Sequence, residues 1–516
     1  MKKTLAILFA VFCCITANAQ EINAVVTRPS DGNQNHYQLS SKPNVVLGND
    51  NTITFKLGDT QQGQPYTLTG SNAFTVLFGS AISGVVNESN LTVSHPILIQ
   101  NSGKLTVSGT MTNADAQDLV IEDGGQLAFN SGTVNATMKK NISGTDWYTI
   151  SSPLAANTAF ANVTNLIPSS GVTSTNYDLY RLNEAEGMWE NARGNEDEAF
   201  TTIDKGVGYL YANATEIGHI AFADKVNVAD VTRELTIGAA HGYNLIGNPF
   251  TQNIKLGNVT GVTLADGFYV LNGDNTWATE PMTGEIKPLQ GFLVQATTAG
   301  TATISKPAAS SKGERSAEQV TNIEMIVSNS SYRDNAFAMF GEGTGLNKVN
   351  HRNAEAPMLY VPQDGEDFAI AFMDENTNVF PLNFKAMTTG NYSISLKPTD
   401  NVNYLILIDN MTGEETNMLL EESYSFIGSP ADYASRFTVK LGVSNGNDDD
   451  EQFVYQYGDE LIIDGEGMLQ VIDVLGRVVI SEEVHGQRVN VGGLTTGAYI
   501  VRMTGNEVKT QKIIVK

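Results

Sequence analysis

Cysteine is almost missing from this chain of 516 residues: there are two, Cys13 and Cys14, and both lie close to the N-terminus. The segment that contains them has the features of a cleaved leader, so the mature chain is expected to contain no cysteine. Disulfide bonds, thiol catalysis and cysteine-based metal sites are thereby excluded. Stability must come instead from the burial of apolar side chains.

Recognisable catalytic signatures are missing as well. The six histidines stand apart, without an H-E-x-x-H pattern or a pair at metal-ligand spacing. No G-x-S-x-G elbow, P-loop or G-x-G-x-x-G opening a helix occurs. The 56 acidic residues do not single out two carboxylates at glycosidase separation. We therefore expect no catalytic residue, no metal and no cofactor.

Basic residues are scarce. Lysine and arginine number 31 against 56 acidic residues, which gives a formal net charge of -25. This charge repels phosphate groups, so the composition argues against nucleic acids and anionic membranes as partners and favours the solubility of an exported protein. The acidic run at 448–451 lacks the ligand alternation and the glycine of an EF-hand loop, so we interpret it as a solvated spacer.

Long hydrophobic runs are missing too, except near the N-terminus. Residues 5–15 are apolar and follow two lysines, and Ala17 and Ala19 supply the small side chains of a signal-peptidase site. A membrane-spanning helix needs about 18 or more apolar residues, and this run is shorter. We therefore predict a signal peptide over 1–19, a mature chain that begins at Gln20, and no transmembrane segment in it. A lipoprotein is the alternative, although large residues precede the cysteines.

The residues that are abundant are those of β-strands and turns. Glycine counts 48, and short apolar runs such as "NTITFKLG" and "NYLILIDN" lie between turn residues. No window has a long apolar stripe at the helical period. The sequence therefore predicts an all-β chain with several domains.

The first of these, 20–144, is expected to be a β-solenoid-like region. From about 90 to 142 short strands recur quickly, as in "NLTVSHPILIQNSGKLTVSG", with Gly or Asn at the corners. Such spacing is typical of stacked coils in which each rung buries its face against the next. A meandering sheet is the alternative.

An internal duplication follows. "DWYTISSPL" is echoed by "GYNLIGNPF", and "KGVGYLYAN" later by "LQGFLVQAT". We predict two duplicated β units, 145–235 and 236–306, in which Trp147 and Tyr243 lead equivalent strands. All three tryptophans of the chain lie in these units. Trp189 and Trp277 are therefore the residues that could stack on a sugar ring, although their matched places favour repeated core positions.

Four further segments complete the chain. A small, polar stretch at 307–318 is predicted to be a linker. Several strands with turn signals predict an Ig-like β-sandwich. The remaining boundaries are 319–443 for this sandwich, 444–459 for an acidic linker and 460–516 for a C-terminal β-sandwich.

The C-terminal region has three β-like elements in order. In "VIDVLGRVV", Asp473 and Gly476 fit the first and last positions of a type I turn between two strands. "VNVGGLTTGAYIVRM" follows, and the sequence closes on "KTQKIIVK". Lys512 and Lys516 present charge that a receptor could reach. The same charge also keeps a final edge strand from pairing with other chains, and both roles can hold.

These three elements resemble the type A C-terminal sorting domain of the type IX secretion system. By this resemblance the sorting signal consists of Asp473, Gly476, Arg477, Leu494, Gly497, Tyr499, Lys512 and Lys516. The resemblance implies recognition by the outer-membrane translocon after passage through the periplasm, and removal of the domain by a surface sortase. It also implies that the protein reaches the cell surface or the medium, where many such proteins are attached to lipopolysaccharide.

Upstream resemblances are weaker. "DNMTGEETNMLLEESYSF" is similar to the β-sandwich often found before such a sorting domain, and "DWYTISSP" with "YNLIGNPF" resembles repeats of uncharacterised surface proteins. Neither implies an activity. Our leading hypothesis is a structural or adhesin-like surface protein without catalytic activity, which binds an unidentified glycan or host matrix ligand. The alternatives are a carbohydrate-binding surface protein and, third, a glycan-acting hydrolase.

Overall fold

The computed structural model describes residues 21–27, 34–38, 43–47, 52–57, 60–67, 75–143, 146–166, 177–192, 200–213, 218–309, 321–399, 402–443, 453–457, 460–486, 488–505 and 508–515. The chain divides into two compact units: unit 1 comprises residues 1–264 and 282–315, and unit 2 comprises residues 265–281 and 316–516. The predicted signal peptide, with Ala17, Ala19 and Gln20, lies outside the described residues, and so does Lys516.

The prediction of an all-β chain is confirmed. In the part of the chain that the structure describes, helix is confined to three 3₁₀ turns, Ala116–Asp118, Phe160–Asn162 and Leu256–Asn258. Each of these is a single turn, the usual extent of this tight helix.

The strands of the N-terminal region of unit 1 are β1 (Glu21–Thr27), β2 (Gln34–Gln38), β3 (Pro43–Leu47), β4 (Thr52–Leu57), β5 (Thr60–Thr67), β6 (Thr75–Ile82), β7 (Val85–Glu88), β8 (Leu91–Thr92), β9 (Ile97–Ile99), β10 (Lys104–Thr112), β11 (Leu119–Ile121), β12 (Gln126–Ser131) and β13 (Asn135–Ile142). Strands β3, β4 and β5 pair in that order in an antiparallel sheet.

Strands β6 to β13 pair with one another in parallel, and we call the segments that contain them the coils. β10 lies between β7 and β12, and β11 lies between β9 and β13, with every pairing parallel. Leu105 lies beside Leu127. Glycines at the corners permit close approach of the coils, since a Cβ on Gly103 would collide with the carbonyl oxygen of Ile82. These parallel pairings differ from the antiparallel pairings of a meandering sheet.

The duplicated region contains β14 (Tyr148–Ile150), β15 (Thr158–Ala159), β16 (Val163–Thr164), β17 (Leu179–Asn183), β18 (Met188–Asn191), β19 (Thr202–Ile203), β20 (Tyr209–Tyr211), β21 (Gly218–Lys225), β22 (Val231–Leu235), β23 (Tyr243–Gly247), β24 (Val259–Thr260), β25 (Leu264–Leu271), β26 (Trp277–Pro281), β27 (Gly291–Ala296) and β28 (Gly300–Ile304). The hairpin of β25 and β26 falls almost entirely in unit 2, and the other strands belong to unit 1.

The two halves of this region repeat the same strand pairings. β14 pairs with β20 as β23 pairs with β27. Val163 lies opposite Phe222, and in the second half Val259 lies opposite Ile304. The hairpins also match, because β17 pairs with β18 and β25 with β26, with a leucine opposite the tryptophan in each. The sequence echo therefore corresponds to repeated topology and register.

The core of unit 1 crosses the boundary predicted at 144/145. One buried cluster contains Leu127 and Phe129 from the coils together with Tyr209 and Phe222 from the first repeat. β21 pairs antiparallel along the whole of β13. The last coil thus has its open edge covered by a strand of the next region, which is how stacked coils are protected from further pairing.

In unit 2 the strands of the predicted sandwich are β29 (Asn322–Ser328), β30 (Arg333–Phe340), β31 (Leu346–Asn347), β32 (Met358–Gln363), β33 (Glu366–Met373), β34 (Val379–Lys385), β35 (Gly390–Pro398), β36 (Val402–Asp409), β37 (Glu414–Asn417), β38 (Tyr424–Gly428) and β39 (Phe437–Val443). The strand order is β37-β36-β39-β34-β32-β33-β30-β29-β35-β38, with β31 beside β33. β30 and β33 are parallel. Aromatic side chains such as Phe384 and Phe437 fill the core.

The tail, residues 453–515, follows with β40 (Val454–Tyr457), β41 (Glu460–Ile463), β42 (Glu466–Asp473), β43 (Val478–His485), β44 (Arg488–Asn490), β45 (Gly497–Thr504) and β46 (Val508–Val515). Two sheets, β40-β41-β44 and β43-β42-β45-β46, contribute to one buried cluster that includes Leu461, Leu469 and Val501. This cluster is separate from the core of the preceding sandwich.

Both predicted linkers differ in part from the structure. The sequence places residues 453–457 in the acidic linker, but Val454–Tyr457 form β40, and Phe453 and Val454 are each 1% exposed. Their aromatic and aliphatic side chains belong to the tail core. At 307–318, Ala309 exchanges hydrogen bonds with the side chain of Asn130. Residues 310–318 and 444–452 lie outside the described residues.

Candidate functional site

The first element of the predicted sorting signal is the turn between β42 and β43. The N–H of Gly476 donates to the carbonyl of Asp473 at 2.9 Å, as expected of the turn. Gly476 has φ +80°, a conformation that glycine adopts without strain. The Asp473 carboxylate accepts from the backbone N–H groups of Leu475 and Arg477, each at 2.9 Å, and from Nε of Arg477 at 2.7 Å.

This turn projects an unusual tip. Val474 is 79% exposed and Leu475 75% exposed, although both are apolar. The hydrogen bonds to Asp473, above all that from the Arg477 backbone N–H, hold the pKa of its carboxyl below the ordinary value. The carboxylate therefore fixes the turn while two apolar side chains and the Arg477 guanidinium face solvent, which suits recognition by another molecule.

Tyr499 and Leu494 support the structure of the tail. The hydroxyl of Tyr499, which is 6% exposed, donates to the carbonyl of Thr495 at 2.8 Å. Leu494 packs against the core cluster. Gly497 starts β45, and a Cβ there would make only ordinary contacts, so nothing in the structure explains the glycine. Leu494 and Tyr499 thus act in folding, whereas the turn is presented outward.

Lys512 lies on the outer face of the sheet. It is exposed and sits opposite Ile500, which is 44% exposed. Ile514 on the same face of β46 is 61% exposed. The neighbouring inward residues Ile513 and Val515 are buried in the core cluster. Alternation along β46 therefore gives one face to folding and leaves an apolar and basic face accessible.

The sequence does not predict the structural role of Gln511 in the tail. Gln511 accepts from the N–H groups of Phe453 and Val454 through Oε1, both at 2.8 Å, and donates from Nε2 to the carbonyl of Val454 at 2.6 Å. It therefore fixes the entering strand to the final strand. A polar residue between lysines gave no signal of this role.

Residues 458–516 match the family described as a secretion system C-terminal sorting domain. The chain carries a type IX sorting domain. The sorting domain directs export to the cell surface or the extracellular medium, and the chain therefore engages the secretion machinery. No curated protein and no solved structure matches the chain. Among the described residues, no helix has the length and apolar character required to cross a membrane.

The tryptophans considered for sugar stacking have different surroundings. Trp277 is 5% exposed, so neither face of its ring is open, and the structure removes it from the stacking candidates. Trp189 is partly exposed on β18, an outer strand of its sheet. Trp147 is also partly exposed, and its ring centroid lies 5.6 Å from that of Tyr180.

A polar groove of about 310 Å³ lies on the coils of unit 1. Its lining consists of Asn101, Glu122, Asp123, Lys139, Asn141 and His219. Burial, with a smaller contribution from the charge of Lys139, lowers the pKa of His219. Amide, carboxylate and imidazole groups of this kind can exchange hydrogen bonds with sugar hydroxyls.

The structure also brings together a buried triad in unit 2: Asp334 on β30, and Lys348 and His351 in the segment after β31. Their side chains are 0%, 2% and 2% exposed. Lys348 Nζ lies 2.7 Å from Asp334 Oδ1 and also donates to the carbonyl of Asn335 at 3.0 Å. His351 Nε2 lies 3.3 Å from the same Oδ1.

Each member of the triad is further constrained. Asp334 Oδ2 accepts from the backbone N–H of Leu359 at 2.7 Å. His351 Nδ1 accepts from the backbone N–H of Trp277 at 3.0 Å. Burial lowers the pKa of Lys348. Burial would raise the pKa of Asp334, but Lys348 and His351 outweigh it and hold that pKa below the ordinary value.

Nothing in the sequence indicates this triad. Its residues are separated along the chain, and His351 is one of six isolated histidines. Only the pairing of β30 with β33, and of β31 with β33, places them together.

Proposed function

We propose that the chain is a non-catalytic, modular β-protein of the cell surface with a structural or adhesin-like role. The observation that supports a modular cargo is the repetition of strand pairing, with Val163 opposite Phe222 and Val259 opposite Ile304. Repeated β modules build extended surfaces for binding. The tail has its own hydrophobic core, so recognition of the tail for export need not disturb the fold of the cargo.

Binding without turnover is the property to test. The purified mature chain should be applied to an array of glycans and matrix proteins, and the same glycans should be assayed for cleavage products. We expect retention on at least one ligand and no product. Release of a cleaved glycan would overturn the proposal and favour the hydrolase hypothesis.

Carbohydrate binding is the second candidate function, and the polar groove on the coils favours it. Glu122, Asp123 and His219 line it together with two asparagine amides. If this groove holds a sugar, Glu122→Ala and His219→Ala should weaken retention on a glycan array. The matched control is Glu482→Ala on an exposed strand of the tail, which should leave retention unchanged.

The finer architecture belongs to the same proposal. We infer that the parallel coils form a small β-solenoid covered at one edge by β21, and that 319–443 is an Ig-like sandwich. Maturation would remove residues 1–19, and a surface sortase would remove the sorting domain, with attachment to lipopolysaccharide. Intact mass should show an N-terminus at Gln20; a lipid on Cys13 or Cys14 would contradict it.

A further inference from the structure

We propose that Lys348 and Asp334 become joined by an intramolecular amide bond between Nζ and Cγ, with His351 stabilising the oxygen that leaves. The bond would be a covalent cross-link between β30 and the segment after β31. It would be formed by the chain itself, since both reacting groups and the histidine are already in contact.

Burial supplies the first support. The side chains of Asp334 and Lys348 are 0% and 2% exposed, so two charges are held away from water. Each buried ion carries a desolvation penalty that its partner only partly offsets. Condensation removes both charges and releases a water molecule, so the dry surroundings favour the amide over the ion pair. Nζ and Oδ1 at 2.7 Å also place the amine beside the carboxyl carbon that it must attack.

The two carboxylate oxygens have different partners, which assigns their fates. Oδ2 accepts from the Leu359 N–H at 2.7 Å. A backbone donor in this place stabilises the negative charge that develops on a carbonyl oxygen during nucleophilic attack. Oδ2 therefore becomes the amide oxygen. Oδ1 faces both Lys348 and His351, so it is the oxygen that leaves.

His351 is held in the tautomer that the reaction needs. Its Nδ1 accepts from the Trp277 N–H, so in the neutral ring Nε2 carries the hydrogen. Nε2 lies 3.3 Å from Asp334 Oδ1, without the alignment of a hydrogen bond, and makes no other hydrogen bond to the described residues. The Nε2–H group can therefore donate a hydrogen bond to Oδ1 and stabilise the charge on that oxygen as it leaves.

The atoms balance without an oxidant or a further reactant. The Lys348 ammonium first gives one proton to Oδ1, which leaves a neutral amine and a carboxylic acid. The lone pair of Nζ attacks Cγ and forms the C–N bond. The nitrogen then passes one proton to Oδ1, while the His351 Nε2–H group donates a hydrogen bond to that oxygen. The Cγ–Oδ1 bond breaks, Oδ1 departs as water, and the amide nitrogen keeps one hydrogen.

A tryptic map of the exported protein tests the bond directly. Trypsin cleaves after a free lysine, and Arg333 and Arg352 flank the triad. An amide at Lys348 blocks cleavage there, so we expect a single peptide over 334–352 whose mass is lower by one water. Separate peptides over 334–348 and 349–352, with no water missing, would overturn the proposal. This readout uses the native sequence and does not depend on the folding of any variant.

Two other ion pairs serve as controls in the same digest. Lys140 lies 3.1 Å from Asp123, but both side chains are about one-fifth exposed, so trypsin should cleave after Lys140. Arg436 is buried against Asp409 at 2.8 Å, but its guanidinium stays protonated and is not a nucleophile. Loss of water at Lys140 would contradict the requirement for burial. Loss of water at Arg436 would contradict the requirement for an amine nucleophile.

Variants separate the roles within the triad. Lys348→Met and Asp334→Ala should restore the full mass. Asp334→Asn should still condense, but with the loss of ammonia instead of water, which a purely structural effect would not produce. His351→Leu, which has no donor, should form the bond more slowly, as measured by the cross-linked fraction over time after purification. An unchanged rate in His351→Leu would overturn the role of His351.

Discussion

Arg477 donates to Asp473 through both its backbone N–H and its guanidinium. The two residues thereby lock a turn whose tip, Val474 and Leu475, is almost fully exposed. Exposed apolar side chains on a fixed turn are typical of a surface that another protein contacts. We therefore predict that this turn takes part in recognition by the secretion machinery.

Loosening this turn should impair display more than folding. Asp473→Ala removes the acceptor of the Leu475 and Arg477 N–H groups, so the tip loses its fixed orientation. We expect less protein at the cell surface and more in the periplasm, measured by fractionation, with only a small fall in the melting temperature. Glu482→Ala, on an exposed strand of the same sheet, is the control and should display normally.

The same turn should respond to acid. The folded-state pKa of Asp473 lies below its ordinary value of 3.8, so the ionised carboxyl stabilises the folded state fully at pH values above the unfolded-state pKa. This stabilisation is lost as the pH falls through the lower, folded-state pKa. NMR titration of the carboxyl should therefore show a midpoint below 3.8. Arg477→Ala should move the midpoint upward, and a midpoint at the ordinary value would contradict the observed hydrogen bonds.

The tail is expected to be required for export and dispensable for the fold of the cargo. Deletion of 453–516 should leave folded protein in the periplasm, because the tail has its own core. Lys512→Ala, singly and with Lys516→Ala, should reduce display while stability changes by less than about 0.5 kcal/mol, as is usual for exposed sites. Normal surface display of the deletion variant would refute the requirement of the tail for export. Reduced solubility with normal display would instead favour edge protection.

Two tyrosines make the same hydrogen bond in different modules. Tyr392 donates to the Thr388 carbonyl at 2.7 Å and Tyr499 to the Thr495 carbonyl at 2.8 Å, each within a Thr-Thr-Gly-x-Tyr sequence. Tyr392→Phe and Tyr499→Phe should each cost about 1 kcal/mol, the usual contribution of one hydrogen bond. Hydrogen exchange at increasing urea concentration measures this loss. Backbone amides should exchange faster only in the module that carries the substitution.

Burial should separate two aromatic residues of the first repeat. Phe222 is 0% exposed, so Phe222→Ala should cost about 3–5 kcal/mol through lost burial and the cavity left behind. Trp147 is partly exposed, so Trp147→Ala should cost less, although its contact with Tyr180 is lost. Urea denaturation of the mature chain would measure both. An equal or larger loss for Trp147→Ala would contradict its partial exposure.

Local sequence determined the all-β class, the turn at Asp473 and the sorting domain. Strands and turns depend on short-range preferences, and the sorting domain is recognised from three elements in order. The echo between the duplicated halves was also readable, because equivalent strands need equivalent side chains at equivalent positions. Even the outward place of Lys512 follows from the alternation of a strand.

Only the tertiary structure decided which distant residues meet. Asp334, Lys348 and His351 converge through the pairing of β30, β31 and β33, and nothing local in the sequence specifies those partners. Trp277 and Trp189 lie at matched places in the two sequence repeats, but Trp277 is 5% exposed whereas Trp189 is partly exposed. Burial depends on which residues pack over each strand. Strand partners and burial are non-local properties, set by the whole chain as it collapses, so the sequence pattern determined the elements and the tertiary fold determined their chemistry.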